Sequence, residues 1–194
     1  MKNKRTLLVL ILAIVLLLGG ATVLYTKLKQ SVAAEQLATE KPQTQDESNN
    51  TSEEQQKTLA PDFTVYDVEG SEVHLSDYVG KPIVLNFWAS WCGPCQGEMP
   101  DFHEKYLKLG EDFHFLMVNM TDGSRETVES ASEFIAERAY TFPVFYDTQS
   151  DAAMTYGAYS LPTTYFIDAE GYVIAQATGA IDAETLQRGI DMIS

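Results

Sequence analysis

The sequence predicts an α/β fold: a mixed central sheet flanked by helices, opened by an N-terminal β-hairpin and preceded by one apolar helix. Three observations carry this. From residue 63 onward, short apolar or alternating runs interchange with stretches of helical period. Turns containing glycine, at 69–71 and 169–171, separate neighbouring strand-like runs. Residues 6–25 hold no charge over twenty positions; as a helix they would be about 30 Å long, enough to cross a bilayer's hydrocarbon core.

At 194 residues the chain has room for one domain with appendages. Lys2, Lys4 and Arg5 precede the apolar run, and Lys27 and Lys29 follow it. The positive-inside bias gives a cytoplasmic N-terminus at 1–5, a transmembrane signal-anchor at 6–25, and everything else on the far side of the membrane. The competing expectation is a cleaved signal peptide, with the small residues Ser31–Ala34 at the cut. The apolar run is longer than the usual core of such a peptide, roughly 7 to 15 residues. No cysteine lies near its end, so attachment as a lipoprotein is excluded.

Residues 26–57 read as a linker. Its stretch Gln30–Lys57 is rich in Gln, Glu, Ser, Thr and Asn and has no aromatic residue. Such a composition buries too little apolar surface to offset ordering entropy, so it predicts a disordered stem spanning about 30 Å. Residues 58–194 form the globular part, with 22 acidic and 6 basic side chains, a formal charge of −16. That field opposes nucleic acid and anionic lipid surfaces, so neither is expected as a partner, and the simplest role of the charge is solubility.

The elements follow in order. Phe63–Val68, a turn at Glu69–Ser71, and Glu72–Leu75 predict an antiparallel pair. Ile83–Trp88, "IVLNFW", is nearly unbroken in apolarity, as in a strand covered on both faces. A helix over Cys95–Gly110 would bury Phe102, Tyr106 and Leu109 and stop at Gly110. Phe113–Asn119 is a strand, and Glu126–Arg138 a helix burying Val128, Ala131 and Ile135. Pro143–Asp147 is a short strand, and Ser150–Gly157 gives two helical turns closed by glycine. Thr163–Asp168 and Tyr172–Thr178 are strands around a turn; the last helix starts at about Asp182, which caps it, and buries Leu186, Ile190 and Ile193.

The chain has only two cysteines, Cys92 and Cys95, in "WASWCGPCQGEMP". A Cys-x-x-Cys between a buried strand and a helix start puts the first sulfur where unpaired N–H groups and the helix dipole favour negative charge. Cys92 is therefore expected as a thiolate nucleophile and Cys95, in the first turn, as the less exposed resolving thiol. Pro94 suits a first helical turn, Gly93 lets another backbone approach, and Trp91 supplies an apolar rim. A zinc site is disfavoured because His74, His103 and His114 are scattered and four ligands are normally needed. A structural staple across two residues would gain little loop entropy. Redox exchange needs neither metal nor cofactor.

"NFWASWCGPC" followed by "LPTTYFID" resembles the thioredoxin superfamily, and specifically its membrane-anchored, extracytoplasmic thiol-disulfide reductases of the TlpA/ResA type. The resemblance runs from about Leu59 to Ser194 and includes the opening "APDFTVYDVEG" and a strand and helix inserted in the middle of the fold. It implies a thioredoxin-like fold, a redox disulfide between Cys92 and Cys95, and a cis-proline at Pro162 facing the pair. Leu161 and Thr163, flanking that proline, would contact substrate, beside Trp91, Gly93 and Pro94. Glu98, three residues beyond Cys95, matches a glutamate thought to influence the thiols, plausibly by moving protons; an ordinary acid near a helix start is the plainer alternative. Cytosolic thioredoxins often carry a buried aspartate where this chain has Asn86, which cannot titrate, so Glu98 is the better proton carrier. Pro100 is expected to kink its helix.

The resemblance further implies a monomer that reduces a disulfide-containing client: apocytochrome c, an envelope redox enzyme such as methionine sulfoxide reductase, or a spore-envelope protein. Electrons would come from a transmembrane thiol donor of the CcdA/DsbD kind. Two other functions are weaker. A peroxiredoxin would need Pro and Thr where Leu85 and Ala89 stand, and a Sco-like copper-delivery protein would need one more residue between the cysteines.

Overall fold

The computed structural model describes residue 37 and residues 58–194. The expected cytoplasmic terminus at 1–5, the signal-anchor at 6–25 and, Leu37 apart, the linker at 26–57 lie outside the described residues; Leu37 is half-buried against the main core. Among the described residues no helix is long and apolar enough to cross a membrane.

The strands are β1 (Thr58–Leu59), β2 (Thr64–Tyr66), β3 (Glu72–His74), β4 (Ile83–Trp88), β5 (His114–Asn119), β6 (Val144–Tyr146), β7 (Thr163–Ile167) and β8 (Tyr172–Thr178). The helices are α1 (Gly93–Leu109), α2 (Val128–Glu137), α3 (Asp151–Tyr156) and α4 (Ala183–Ile193), with a 3-10 turn at Leu75–Tyr78. One mixed sheet has the order β1-β8-β7-β4-β5-β6-β2-β3. β4, β5 and β6 run parallel, while β7 is antiparallel to β4 and β8 to β7. The expected hairpin is present as β2 and β3, with Val65 opposite Val73, and it extends the sheet beyond β6.

Every residue of β4 is buried, as its apolar run requires of a central strand. Period-2 alternation divides it. Ile83, Leu85 and Phe87 join Leu116, Val118, Tyr165 and Ile167 in one core, under Phe63 and Val65 of the hairpin segment and Tyr156 of α3. Val84 and Trp88 face the other core, with Met99 and Phe102 of α1, Phe134 of α2, and Leu186, Ile190 and Ile193 of α4. Asn86, in phase with Val84 and Trp88, falls on this second face, and that places the strand's one amide side chain beneath α1.

Two helices begin elsewhere than the pattern suggests. α1 starts two residues early, at Gly93, and its buried side starts with Cys95, Glu98 and Met99; of the expected stripe, Phe102 is buried while Tyr106 and Leu109 are half-buried. The helix is continuous through Pro100. α2 starts two residues late because Thr127 and Ser130 make a reciprocal capping box, the Thr127 side chain accepting from the Ser130 N–H. Its deepest contacts are Ala131 and Phe134, with Val128 and Ile135 half-buried. α4 matches its expected stripe, and Asp182 caps it through the Thr185 N–H at 3.0 Å. Gly189 lets α4 lie close on the sheet: a Cβ there would fall 2.2 Å from the Phe166 ring.

Candidate active site

The site forms where β4 ends and α1 begins. Cys92 is the N-cap of α1, extended at φ −82° and ψ 104°, and its Sγ accepts the Cys95 N–H at 3.2 Å. The backbone dipoles of the first turn thus converge on that sulfur, a place where a thiolate is stabilised. Pro94, lacking an N–H, sits in that turn without losing a bond. The two cysteines form a disulfide, with Cα atoms 5.3 Å apart. They are unequal: Cys92 is 5% exposed and Cys95 is wholly buried.

Glu98 lies one turn beyond Cys95 and is 2% exposed. Its Oε1 accepts from Asn86 Nδ2 at 2.9 Å and its Oε2 from the Ile181 N–H at 3.0 Å. Asn86 Nδ2 also donates to Thr164 Oγ1 at 3.0 Å, whereas Asn86 Oδ1 is buried without a hydrogen-bond partner among the described residues. Among the described residues no cation compensates the carboxylate. Burial pushes its pKa up to about 7 from 4.5, against the lowering effect of the Ile181 and Asn86 hydrogen bonds, with nearby Asp101 adding a small rise.

The Leu161–Pro162 peptide is cis, as the resemblance implies. Leu161 is half-buried between the two cores, and the Pro162 carbonyl accepts from the Gly179 N–H at 2.8 Å. The Thr163 side chain is turned inward. It is 2% exposed and its hydroxyl donates to the Ser160 carbonyl at 2.6 Å, so its side chain closes the turn before β7.

A groove of about 560 Å3 opens over Cys92. Three segments line it: Trp91, Cys92, Gly93 and Pro94; Met120, Asp122 and Arg125; and Ala158, Tyr159 and Leu161. A Cβ at Gly93 would meet nothing within 4 Å, so that position is open above the helix start. Of the second and third segments only Leu161 is expected from the sequence; nothing local marks Met120, Asp122, Arg125, Ala158 and Tyr159 as neighbours of the cysteines.

The missed residue with the most bonds is Glu126, fully buried. Its Oε1 accepts from the Ser90 N–H at 2.8 Å and from Asn119 Nδ2 at 2.7 Å, and its Oε2 from the Ser90 hydroxyl at 2.7 Å. It therefore ties the segment after β5 to the residue two before Cys92. Gln96 Nε2 of α1 donates to the Ser90 carbonyl at 2.5 Å, completing the brace.

The AhpC/TSA family model matches residues 57–176. The chain is 37% identical over 137 residues to the thiol-disulfide oxidoreductase ResA of Geobacillus thermodenitrificans, covering 70% of this chain and 76% of that protein. Among solved structures it is similar to StoA from Bacillus subtilis (TM-score 0.58, 25% identity, 67% of this chain and 96% of that one). It is also similar to a DsbF homologue from Corynebacterium diphtheriae (TM-score 0.63, 28% identity, 72% and 89%). With a thioredoxin-like sheet, a cysteine pair closed at the start of α1 and these relatives, the chain belongs to the AhpC/TSA family and is a thiol-disulfide oxidoreductase of the ResA type.

Proposed function

We propose that this protein is a membrane-tethered disulfide reductase acting on the extracytoplasmic side. In its reduced form the Cys92 thiolate attacks one sulfur of a client disulfide, forming a mixed disulfide and releasing the other client sulfur as a thiolate, which takes a proton. Cys95, losing its proton to Glu98, then attacks the Cys92 sulfur. The second client thiolate leaves and is protonated, and Cys92–Cys95 becomes the disulfide. Two electrons pass from protein to client.

The observation that carries this reading is the inequality of the two sulfurs: Cys92 caps α1 at the floor of the groove, and Cys95 is wholly buried behind it. A carboxyl whose pKa is about 7 suits proton exchange at neutral pH. An extended client backbone would pair beside Leu161 and Pro162, touching Trp91, Gly93 and Pro94. Leu85 and Ala89, fully buried and apolar, stand where a peroxide pocket would need Pro and Thr, which favours disulfides over peroxide as the substrate.

The uncharged run Thr6–Tyr25 supports the tether, and a reductase outside the cytoplasm needs electrons through the membrane, hence a thiol donor of the CcdA/DsbD kind. Apocytochrome c or an oxidised envelope enzyme are the clients this reading favours. Equilibration with glutathione buffers tests the direction. A midpoint near the thioredoxin value of roughly −270 mV is expected, and one near −120 mV would make the protein an oxidant.

A further inference from the structure

Resting on the reading of the groove as the client site, we propose that Arg125 makes it selective for an extended disulfide-bearing segment with a carboxylate side chain beside the attacked half-cystine. Arg125 is the one basic residue among those lining the groove. Its guanidinium carbon sits 3.5 Å from the centroid of the Trp91 ring, so the planar group lies on the residue next to Cys92. No side-chain hydrogen bond from that guanidinium is made to another described residue, which leaves its fork of donors for a ligand.

The position is fixed from behind. Asp122 Oδ1 accepts from the N–H groups of Ser124, Arg125 and Glu126 at 2.7, 2.7 and 3.0 Å, which shapes the turn carrying Arg125. Glu126, the next residue, anchors that turn to Ser90. The Asp122 carboxylate is therefore engaged with its own turn, although its charge still moderates that of Arg125. Residues 58–194 as a whole are strongly acidic, 22 acidic against 6 basic side chains, so an acidic segment meets net repulsion that Arg125 offsets locally at the groove. Arg125 thus supplies both attraction and register.

The test uses the full chain in detergent, pre-reduced, with three extended peptides. They are identical except for Asp, Ala or Lys next to one cysteine, and each is held as a mixed disulfide with 2-mercaptoethanol. Second-order rate constants for peptide reduction are compared as the Asp-to-Lys ratio within each protein sample, so any change in active fraction cancels. Wild type should favour the Asp peptide about five-fold at low ionic strength, declining toward parity in high salt. In Arg125→Ala the ratio should fall to one or below, in Arg125→Glu it should invert, and Arg125→Lys, charged but not planar, should be intermediate. A wild-type ratio of one or less, or a ratio unchanged in Arg125→Ala and Arg125→Glu, overturns the proposal. If wild type reduces a small aromatic disulfide but none of the peptides, it is the client-groove reading itself that fails.

Discussion

Asn86 Nδ2 of β4 donates to Glu98 Oε1 of α1 at 2.9 Å, joining the one amide side chain of the central strand to a buried carboxyl one turn from Cys95. The partner that holds Glu98 is itself unable to carry a proton. In the proposed mechanism proton exchange would therefore fall to Glu98, whose two oxygens are held by Asn86 and by the Ile181 N–H just before α4.

Glu98→Gln should remove the inflection near pH 7 from the pH dependence of disulfide exchange. Asn86→Ala removes a donor that lowers the Glu98 pKa, so its inflection should persist and move above 7. Stopped-flow profiles across pH 5 to 9 separate the two, with the larger change in Glu98→Gln. Superimposable wild-type and Glu98→Gln profiles would remove Glu98 from proton transfer.

Stability should also carry the Glu98 signature. The folded pKa, about 7, exceeds the ordinary 4.5, so between these values the folded state binds more protons than the unfolded one. This contribution is complete below pH 4.5 and is lost as pH rises through 7, about 3 kcal/mol in all. Urea denaturation of the oxidised protein should show that decline, and Glu98→Gln should flatten it. Turning the Asn86 amide over would give the new Gln amide an acceptor in Asn86 Oδ1 but take Nδ2 away from Thr164 Oγ1, so a pH-independent loss of stability should accompany the flattening.

Glu126→Ala strands three donors, the Ser90 N–H and hydroxyl and Asn119 Nδ2, and should cost roughly 3 kcal/mol. Glu126→Gln keeps an acceptor for the two N–H donors and can donate to the Ser90 hydroxyl, so it should lose less than half as much. Equal losses in chemical denaturation would mean that the charge, rather than the bonds, matters at this position.

Gly189→Ala places a methyl 2.2 Å from the Phe166 ring, which is fully buried and has no room to retreat. A loss of about 1–3 kcal/mol is expected. Because α4 follows directly on the Ile181 N–H that holds Glu98, its displacement should also alter the pH profile of exchange. A wild-type melting temperature in this variant would mean that α4 packs farther from the sheet.

Periodicity and turn residues made most of the fold legible. The apolar run of β4, the stripe of α4 and the hairpin at Gly70 depend on neighbours within one element, and all three stand as read. β1 escaped notice because two exposed residues, Thr58 and Leu59, make no pattern; they pair with β8 as an edge. At α2, Glu126 is the first residue of the helix expected from the sequence, but its carboxylate turns inward to Ser90, thirty-six residues earlier. The cysteine pair, Glu98 and the cis-proline were visible through motif and resemblance. The Arg125–Trp91 stack and the Tyr159 side of the groove were not, since only the folded sheet brings those segments together.

The division of labour between the cysteines is tested most directly by trapping. Cys95→Ala, reduced and mixed with a disulfide client in native membranes, should accumulate a mixed disulfide through Cys92 that mass spectrometry identifies and added dithiol releases. Cys92→Ala should trap nothing. Equal adducts on both variants, or adducts only on Cys92→Ala, would contradict the assignment of Cys92 as the attacking sulfur.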